Sequence, residues 1–193
     1  MPEILSIPTA SIPSEWLPTR GSLLPDETIL RRIESLPLHW GERQNLEQDD
    51  SYKQLIPYAL IRYRNRFACY PRKGSEKRLH ALCSCGFGGH VEKTDATANL
   101  FSTLRNSLSR ELKEECNLSR EPDDLRFAGF IHESETPVGR VHWGFVFVID
   151  VEDPKEVCTS SEITELKWIN PADSDIDFEI WTTLALSLCS NPA

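Results

Sequence analysis

No apolar run in this 193-residue chain approaches the roughly 18 residues that a membrane-crossing helix needs. Basic residues are in deficit as well: 21 lysines and arginines stand against 30 aspartates and glutamates, for a formal net charge of −9. That balance argues against general nucleic-acid or membrane-surface binding, which requires a basic face. It leaves a small anionic substrate open, because a bound divalent cation reverses the local field. The opening segment, MPEILSIPTASIPSEW, lacks the basic and apolar regions of a signal peptide, so a cytoplasmic protein is expected. The six cysteines form no zinc pattern. Cys83 and Cys85 share one face of an expected strand, but no second pair follows at ligand spacing, and all six read as reduced small hydrophobes. Internal repeats and low-complexity segments are also lacking.

What remains is ordinary for a soluble globular protein: 39% hydrophobic and 26% charged residues, in a length that suits one domain with a sizeable core. Residues 1 to about 25 carry five prolines without clean periodicity and read as an extended arm. PDETILRRIESL then predicts a short helix capped by Asp26, with Ile29, Leu30, Ile33 and Leu36 as its apolar stripe. A polar stretch near residue 50 separates this N-terminal segment, 1–50, from a main body, 51–193. The arm, with Trp16 and the helix, is a candidate for covering the sheet or building a homodimer.

Strand signals dominate the body. YALIRY and FACY form an expected hairpin across RNR, and RLHALCSCGFGGHVE reads as a strand that breaks at its glycines. Residues 96–116 predict a helix, since Phe101, Leu104, Leu108 and Leu112 recur at helical steps. LRFAGFIHES, VHWGFVFVIDV and LKWI are further strands, and DFEIWTTLALSLC is a closing helix. A mixed sheet with a central and a terminal helix places the chain in the α/β (α+β) class, with three layers.

The central helix ends in an unusual crowd of carboxylates. At about 100° per residue, Glu111, Glu114 and Glu115 fall within an arc of about 100° beside the apolar stripe. Asn117 follows, a residue that tolerates the left-handed conformation that often ends a helix. Three like charges in a last turn repel one another and oppose the helix macrodipole. A hard divalent cation would turn this arrangement into a ligand set, and Arg110, four residues before Glu114, is placed to hold that carboxylate. Upstream, GFGGHVE supplies a flexible backbone at a strand end, where carbonyls can face a metal and amides a phosphate.

Together, GGHVEKTD and RELKEECNL resemble the Nudix box of the Nudix hydrolase superfamily (MutT-like). The usual box runs from a glycine, through five residues to a glutamate, then through seven residues to Arg-Glu-apolar-x-Glu-Glu-x-Gly-apolar. Gly89 fits the first glycine, and Asp95 stands where the first glutamate would be. Arg110, Glu111, Leu112, Glu114, Glu115 and Leu118 match the rest, with Asn117 in place of the last glycine. The departure is spacing: fourteen residues separate Asp95 from Arg110 instead of seven. Seven extra residues are close to two helical turns, so either a longer helix or a loop would leave the glutamate face intact.

The resemblance covers the chain from about residue 55 onward and implies a three-layer Nudix-type α/β/α sandwich, with the N-terminal segment as an extension. It implies hydrolysis of a nucleoside diphosphate-linked or related pyrophosphate substrate with Mg²⁺ or Mn²⁺, water attacking phosphorus. Glu111, Glu114 and Glu115, with the Gly89 carbonyl, would hold the metal, and Arg110 would orient a glutamate. The general base would be Glu111 or a carboxylate of a later loop, with Glu162 the leading candidate and Glu133, Glu135, Glu152 and Glu165 its competitors. His90, Arg62 and Arg72 are candidate substrate contacts, although His90 also suits a local bond to the turn; His142 and Trp143 read as packing residues. The alternatives are a non-catalytic Nudix-fold module that binds nucleotide or protein, and an isomerase resembling isopentenyl diphosphate isomerase, with Cys83 or Cys85 active. Intact box glutamates speak against the first. The lack of a Glu-His-Glu-like partner, for which the HES of 132–134 is a poor substitute, speaks against the second.

Overall fold

A computed structural model describes residues 2–72, 82–160, 163, 165–173 and 175–189. In chain order the elements begin with β1 (Glu3–Pro8), β2 (Arg20–Leu23), α1 (Glu27–Glu34), β3 (His39–Glu42) and α2 (Arg43–Leu46). β4 (Tyr52–Tyr63), β5 (Arg66–Pro71), β6 (Cys83–Ser84), β7 (Gly86–Phe87) and α3 (Leu100–Cys116) follow. The chain closes with β8 (Arg126–Glu133), α4 (Pro137–Val141), β9 (His142–Asp150), β10 (Lys167–Ile169) and α5 (Ile180–Cys189).

The sheet is mixed, as expected. Its main path runs β10-β5-β4-β9-β8-β2, in which the central β4–β9 pair is parallel and the other neighbours are antiparallel. β9 is buried over all but its last residue, which explains its near-continuous apolar sequence. One face of the sheet packs against α3 through Leu55, Phe87, Phe145 and Phe147, which meet Leu104, Leu108 and Leu112 of the helix. The other meets α5 through Leu60, Ile131, Val146 and Val148, against Ala185 and Leu188. Leu104, Leu108 and Leu112 are fully buried, each contributing about 1.5–3 kcal/mol of hydrophobic stabilisation. The result is the three-layer α/β/α sandwich.

The N-terminal segment departs from the reading of its first 25 residues as an extended arm. β1 pairs with β3 and with the start of β4, while β2 adds an edge strand to β8. These strands are short and flanked by proline, so alternation could not announce them. Ile12, Trp16 and Ile33 enter the core on the α3 side, and Trp16 stacks on Trp143 at 6.5 Å between centroids. The segment thus covers the sheet. α1 starts where expected, Asp26 accepting from the Ile29 amide at 2.8 Å. No helix among the described residues is long and apolar enough to cross a membrane.

Candidate active site

The extra residues of the box are mostly helix. Of the fourteen residues between Asp95 and Arg110, ten (100–109) belong to α3, which begins four residues later than its apolar periodicity suggested. Residues 96–99 are a linker that ends in a double cap. Asn99 accepts from the Ser102 amide at 2.9 Å. The Glu34 carboxylate, from the end of α1, accepts from the amides of Leu100 at 3.0 Å and Phe101 at 3.2 Å. At the other end Asn117 takes the left-handed conformation (φ 54°, ψ 23°), and the Leu118 amide returns to the Leu112 carbonyl at 3.2 Å. The glutamates therefore sit on the terminal turns of a helix fixed at both ends.

Arg110 is the hub of this region. Its guanidinium donates to both Asp95 oxygens, at 2.9 and 3.1 Å, to Glu111 at 2.7 Å and to Glu114 at 3.4 Å. A further bond, at 3.2 Å, reaches the His90 carbonyl. The two-point Asp95 contact is of the strong, geometrically specific kind. Burial pushes the Asp95 carboxyl up, but Arg110 and the Glu92 amide outweigh it and hold it below its usual range. For Glu111 burial prevails over Arg110, and the carboxyl is raised. The displaced and shorter Asp95, the least regular position of the box, is thus placed opposite Arg110 by the lengthened helix and the turn of Lys93–Asp95.

The glycines close the arrangement from the strand side. Gly88 has φ +141°, and its amide donates to Glu115 at 2.8 Å. A β-carbon there would lie 2.1 Å from the Pro57 carbonyl oxygen. At Gly89, a β-carbon would lie 2.8 Å from Cδ and Oε1 of Glu111. The hydrogen-only Cα of Gly89 is what lets the loop approach that carboxylate. Gly88, Gly89, Arg110, Glu111, Glu114 and Glu115 are thereby gathered in one place.

His90 follows the glycines and turns to local partners. Its Nε2 lies 2.9 Å from Gln54 Oε1 and 3.2 Å from His142 Nε2, while His142 Nδ1 donates to the Val138 carbonyl at 2.7 Å. With the His142 Nε2 lone pair facing it, His90 carries its proton on Nε2. Burial keeps both rings neutral, His90 at about 3 and His142 below its ordinary value. Gln54 and His142 were missed as partners of this loop. Gln54, a buried glutamine in an otherwise apolar strand run, was the one available signal.

The other candidates lie apart from the box. Arg62 is paired with Asp150 at 2.6 and 2.9 Å, about five residues along β4 from Pro57, or roughly 16 Å. Arg72 faces Glu179 at 3.5 Å. Glu162 lies outside the described residues. Glu133 is buried and accepts from the amides of Glu135 and Thr136, at 2.8 and 2.9 Å, and Glu135 pairs with Arg20 at 3.4 Å. Glu165 is exposed.

No family model matches the chain. Protein YmaB of Bacillus subtilis is 29% identical over 155 residues, covering 76% of this chain and 75% of that protein. The crystal structure of Tm1382, itself provisionally described as a Nudix hydrolase, superposes with a TM-score of 0.76 at 28% identity, covering 96% of this chain and 97% of the other. A MutT Nudix hydrolase from Burkholderia pseudomallei aligns at a TM-score of 0.56 and 16% identity, over 72% of this chain and 98% of its own. The fold and these likenesses agree: the chain is similar over nearly its whole length to Tm1382, and it shares the fold of the Nudix hydrolases.

Proposed function

We propose that this chain is a divalent-metal-dependent hydrolase of a nucleoside diphosphate-linked or related pyrophosphate substrate. The observation that carries the reading is the seating of Glu111 against Gly89, with Glu114 and Glu115 on the same turns and Arg110 bracing two of the three. Residues 51–193 would form the hydrolase body, with 1–50 as its extension.

The residues fit a hard cation in donor chemistry. The set is all oxygen, and the cradle at Gly89 is a space that a β-carbon would fill. Among the described residues, no three His, Cys, Asp or Glu side chains are drawn together as a ready cage. The present contacts supply the reason: Arg110 holds Glu111 and Glu114, and the Gly88 amide holds Glu115. Glu111, Glu114, Glu115 and the Gly89 carbonyl would hold Mg²⁺ or Mn²⁺. When bound, the ion supplies charge neutralisation on the diphosphate and a more acidic attacking water.

The chain's own residues do the positioning. Arg110 and Asp95 fix the helix turn against the glycine loop. Glu111, raised by burial, is suited to take a proton from water, and Glu162 is the candidate for a second acceptor. His90, tied to Gln54 and His142, sets the loop that presents the Gly89 carbonyl. Both candidate arginines face a carboxylate; Arg62 is held by two short bonds to Asp150 and Arg72 by one longer contact to Glu179, and the looser hold favours Arg72 as a phosphate contact.

The test is a panel of nucleoside diphosphate derivatives with Mg²⁺ or Mn²⁺, scored for release of phosphate or nucleoside monophosphate. Wild type should turn over at least one member, and Glu114→Gln and Glu115→Gln should each abolish turnover. Full activity in either variant would sink the metal assignment. Silence across the whole panel would favour a binding module.

A further inference from the structure

Three of the six cysteines meet in a place the proposed chemistry does not use. Antiparallel pairing sets Tyr70 opposite Ser84 and Pro71 opposite Cys83; carried one residue further, that register brings Cys85 across from Cys69, and all three cysteines pack in one cluster. Opposed Cα atoms in such a pair are about 4.5–5.5 Å apart, within the span a disulfide bridges. Cys69 and Cys85 are buried beneath α5, whereas Cys83 is only half-buried. β6 is two residues long, pairs with β5 on one side and is bridged to Phe178 on the other, so Cys83 is the thiol of the three nearest solvent.

The three sulfurs are not equivalent. The Cys69 thiol is drawn below its ordinary pKa by hydrogen bonds from Cys85 and, less strongly, Cys83, aided by the Lys167 ammonium from the register partner on β10. Cys85 is pushed up by its bond to Cys69 and by burial, and Cys83 rises to about 11 through burial and the Cys69 charge. A thiol whose anion is favoured by two thiol neighbours and a lysine is the readiest of the three to react.

We propose that Cys69 and Cys85 form a reversible cross-strand disulfide on exposure to a hydroperoxide, with Cys83 as the thiol that reopens it. The Cys69 sulfur attacks the outer peroxide oxygen; an S–O bond forms, the O–O bond breaks, and the departing alkoxide takes a proton to leave as the alcohol, or as water from hydrogen peroxide. The Cys85 sulfur then attacks Cys69; the S–S bond forms, the S–O bond breaks, and hydroxide leaves with the Cys85 proton as water. Two thiols are oxidised and one hydroperoxide is reduced. Attack by the Cys83 sulfur on Cys69 forms a Cys83–Cys69 bond as the Cys69–Cys85 bond breaks, Cys85 leaving as a thiol with the Cys83 proton; the bridge now lies nearer solvent, where an external dithiol can reduce it. Cys85 lies three residues before Gly88, whose amide holds Glu115, so the bridge would staple β5 to the strand that leads into the box.

The full chain should be treated with an equivalent of hydrogen peroxide, its free thiols counted, and its peptides mapped by mass spectrometry. Six thiols should fall to four, the mass should drop by about 2 Da, and a Cys69–Cys85 or Cys69–Cys83 cross-link should appear that dithiothreitol removes. Cys69→Ser should keep its five thiols, and Cys158→Ser should still form the link. A bridge mapping to Cys116–Cys158, oxidation of the exposed Cys158 alone, or sulfinic acid at Cys69 without a link would overturn the proposal. Because the wild-type peptide map decides by itself, a variant that fails to fold does not block the test.

Discussion

Gly88 and Gly89 are neighbours whose replacement by alanine should fail in two different ways. At Gly88 the backbone has φ +141°, and the new β-carbon would overlap the Pro57 carbonyl at 2.1 Å. Strain at such a φ costs about 1–3 kcal/mol, and the obstacle is backbone that cannot rotate away. Gly88→Ala should therefore lose about 3 kcal/mol or more, which lowers Tm by roughly 6–12 °C for a chain of this size. At Gly89 the obstacle is the end of a side chain, Glu111 Cδ at 2.8 Å. That carboxylate can retreat by about 1 Å, so stability should change by less than about 1 kcal/mol. The retreat breaks its 2.7 Å bond to Arg110 and removes it from the proposed metal position, and a displacement of about 1 Å at a catalytic group costs about 10²-fold in rate. The assay pairs thermal unfolding followed by circular dichroism with steady-state hydrolysis in Mg²⁺. If Gly89→Ala retained wild-type kcat/KM, or lost as much stability as Gly88→Ala, the assignment of Glu111 to the metal would be wrong.

Other expectations rest on single contacts. Asp95→Ala removes the two-point contact from Arg110, which keeps Glu111, Glu114 and the His90 carbonyl, and should cost about 1.5–3 kcal/mol in urea denaturation; a loss under about 1 kcal/mol would show that the pair does not hold the box together. His90, His142 and His132 are kept neutral by burial, His90 at about 3 and the others below their ordinary value. Because the unfolded chain takes up these protons at about pH 6.5 and the folded chain only lower, their stabilisation is complete above that pH. It declines as pH falls, by up to about 1.4 kcal/mol per unit for each proton. Urea titrations from pH 7.5 to 5 should show that slope, and a flat profile would contradict the burial. Glu34→Ala removes half of the α3 cap and should cost about 1 kcal/mol, with faster hydrogen exchange at Leu100 and Phe101; unchanged exchange would refute the cap.

The parts legible in the sequence were those governed by local rules. The glutamate arc follows from helix geometry, Asn117 from the tolerance of its backbone, and the α1 start from the Asp26 side chain. The sandwich and its central β9 were readable because a two-sided buried strand must be apolar throughout. What escaped was fixed by distant partners. β1 and β2 are strands because β4 and β8 offer edges to them, and β3 because β1 offers one in turn. Arg62 carried the charge expected of a phosphate ligand, yet its register partner in the parallel pair is Asp150, a fact that exists only once β4 lies beside β9. His142 read as a packing residue and is indeed buried, but one ring nitrogen faces His90, a role that burial alone does not disclose.

The Glu34 cap ties together two features that look unrelated in the chain. The lengthened box carries α3 beyond the sheet, and the N-terminal segment supplies the carboxylate that finishes the helix there. Ile33, beside Glu34, and Trp16 join the apolar cluster that α3 also packs into. Losing residues 1–50 while keeping the long helix would bare that cluster and unravel the first turn; shortening the helix alone would leave α1 with nothing to cap. Insertion and extension therefore act as one structural unit, and relatives are expected to carry both or neither. A search for the origin of the long box should begin some sixty residues upstream of it, at Glu34.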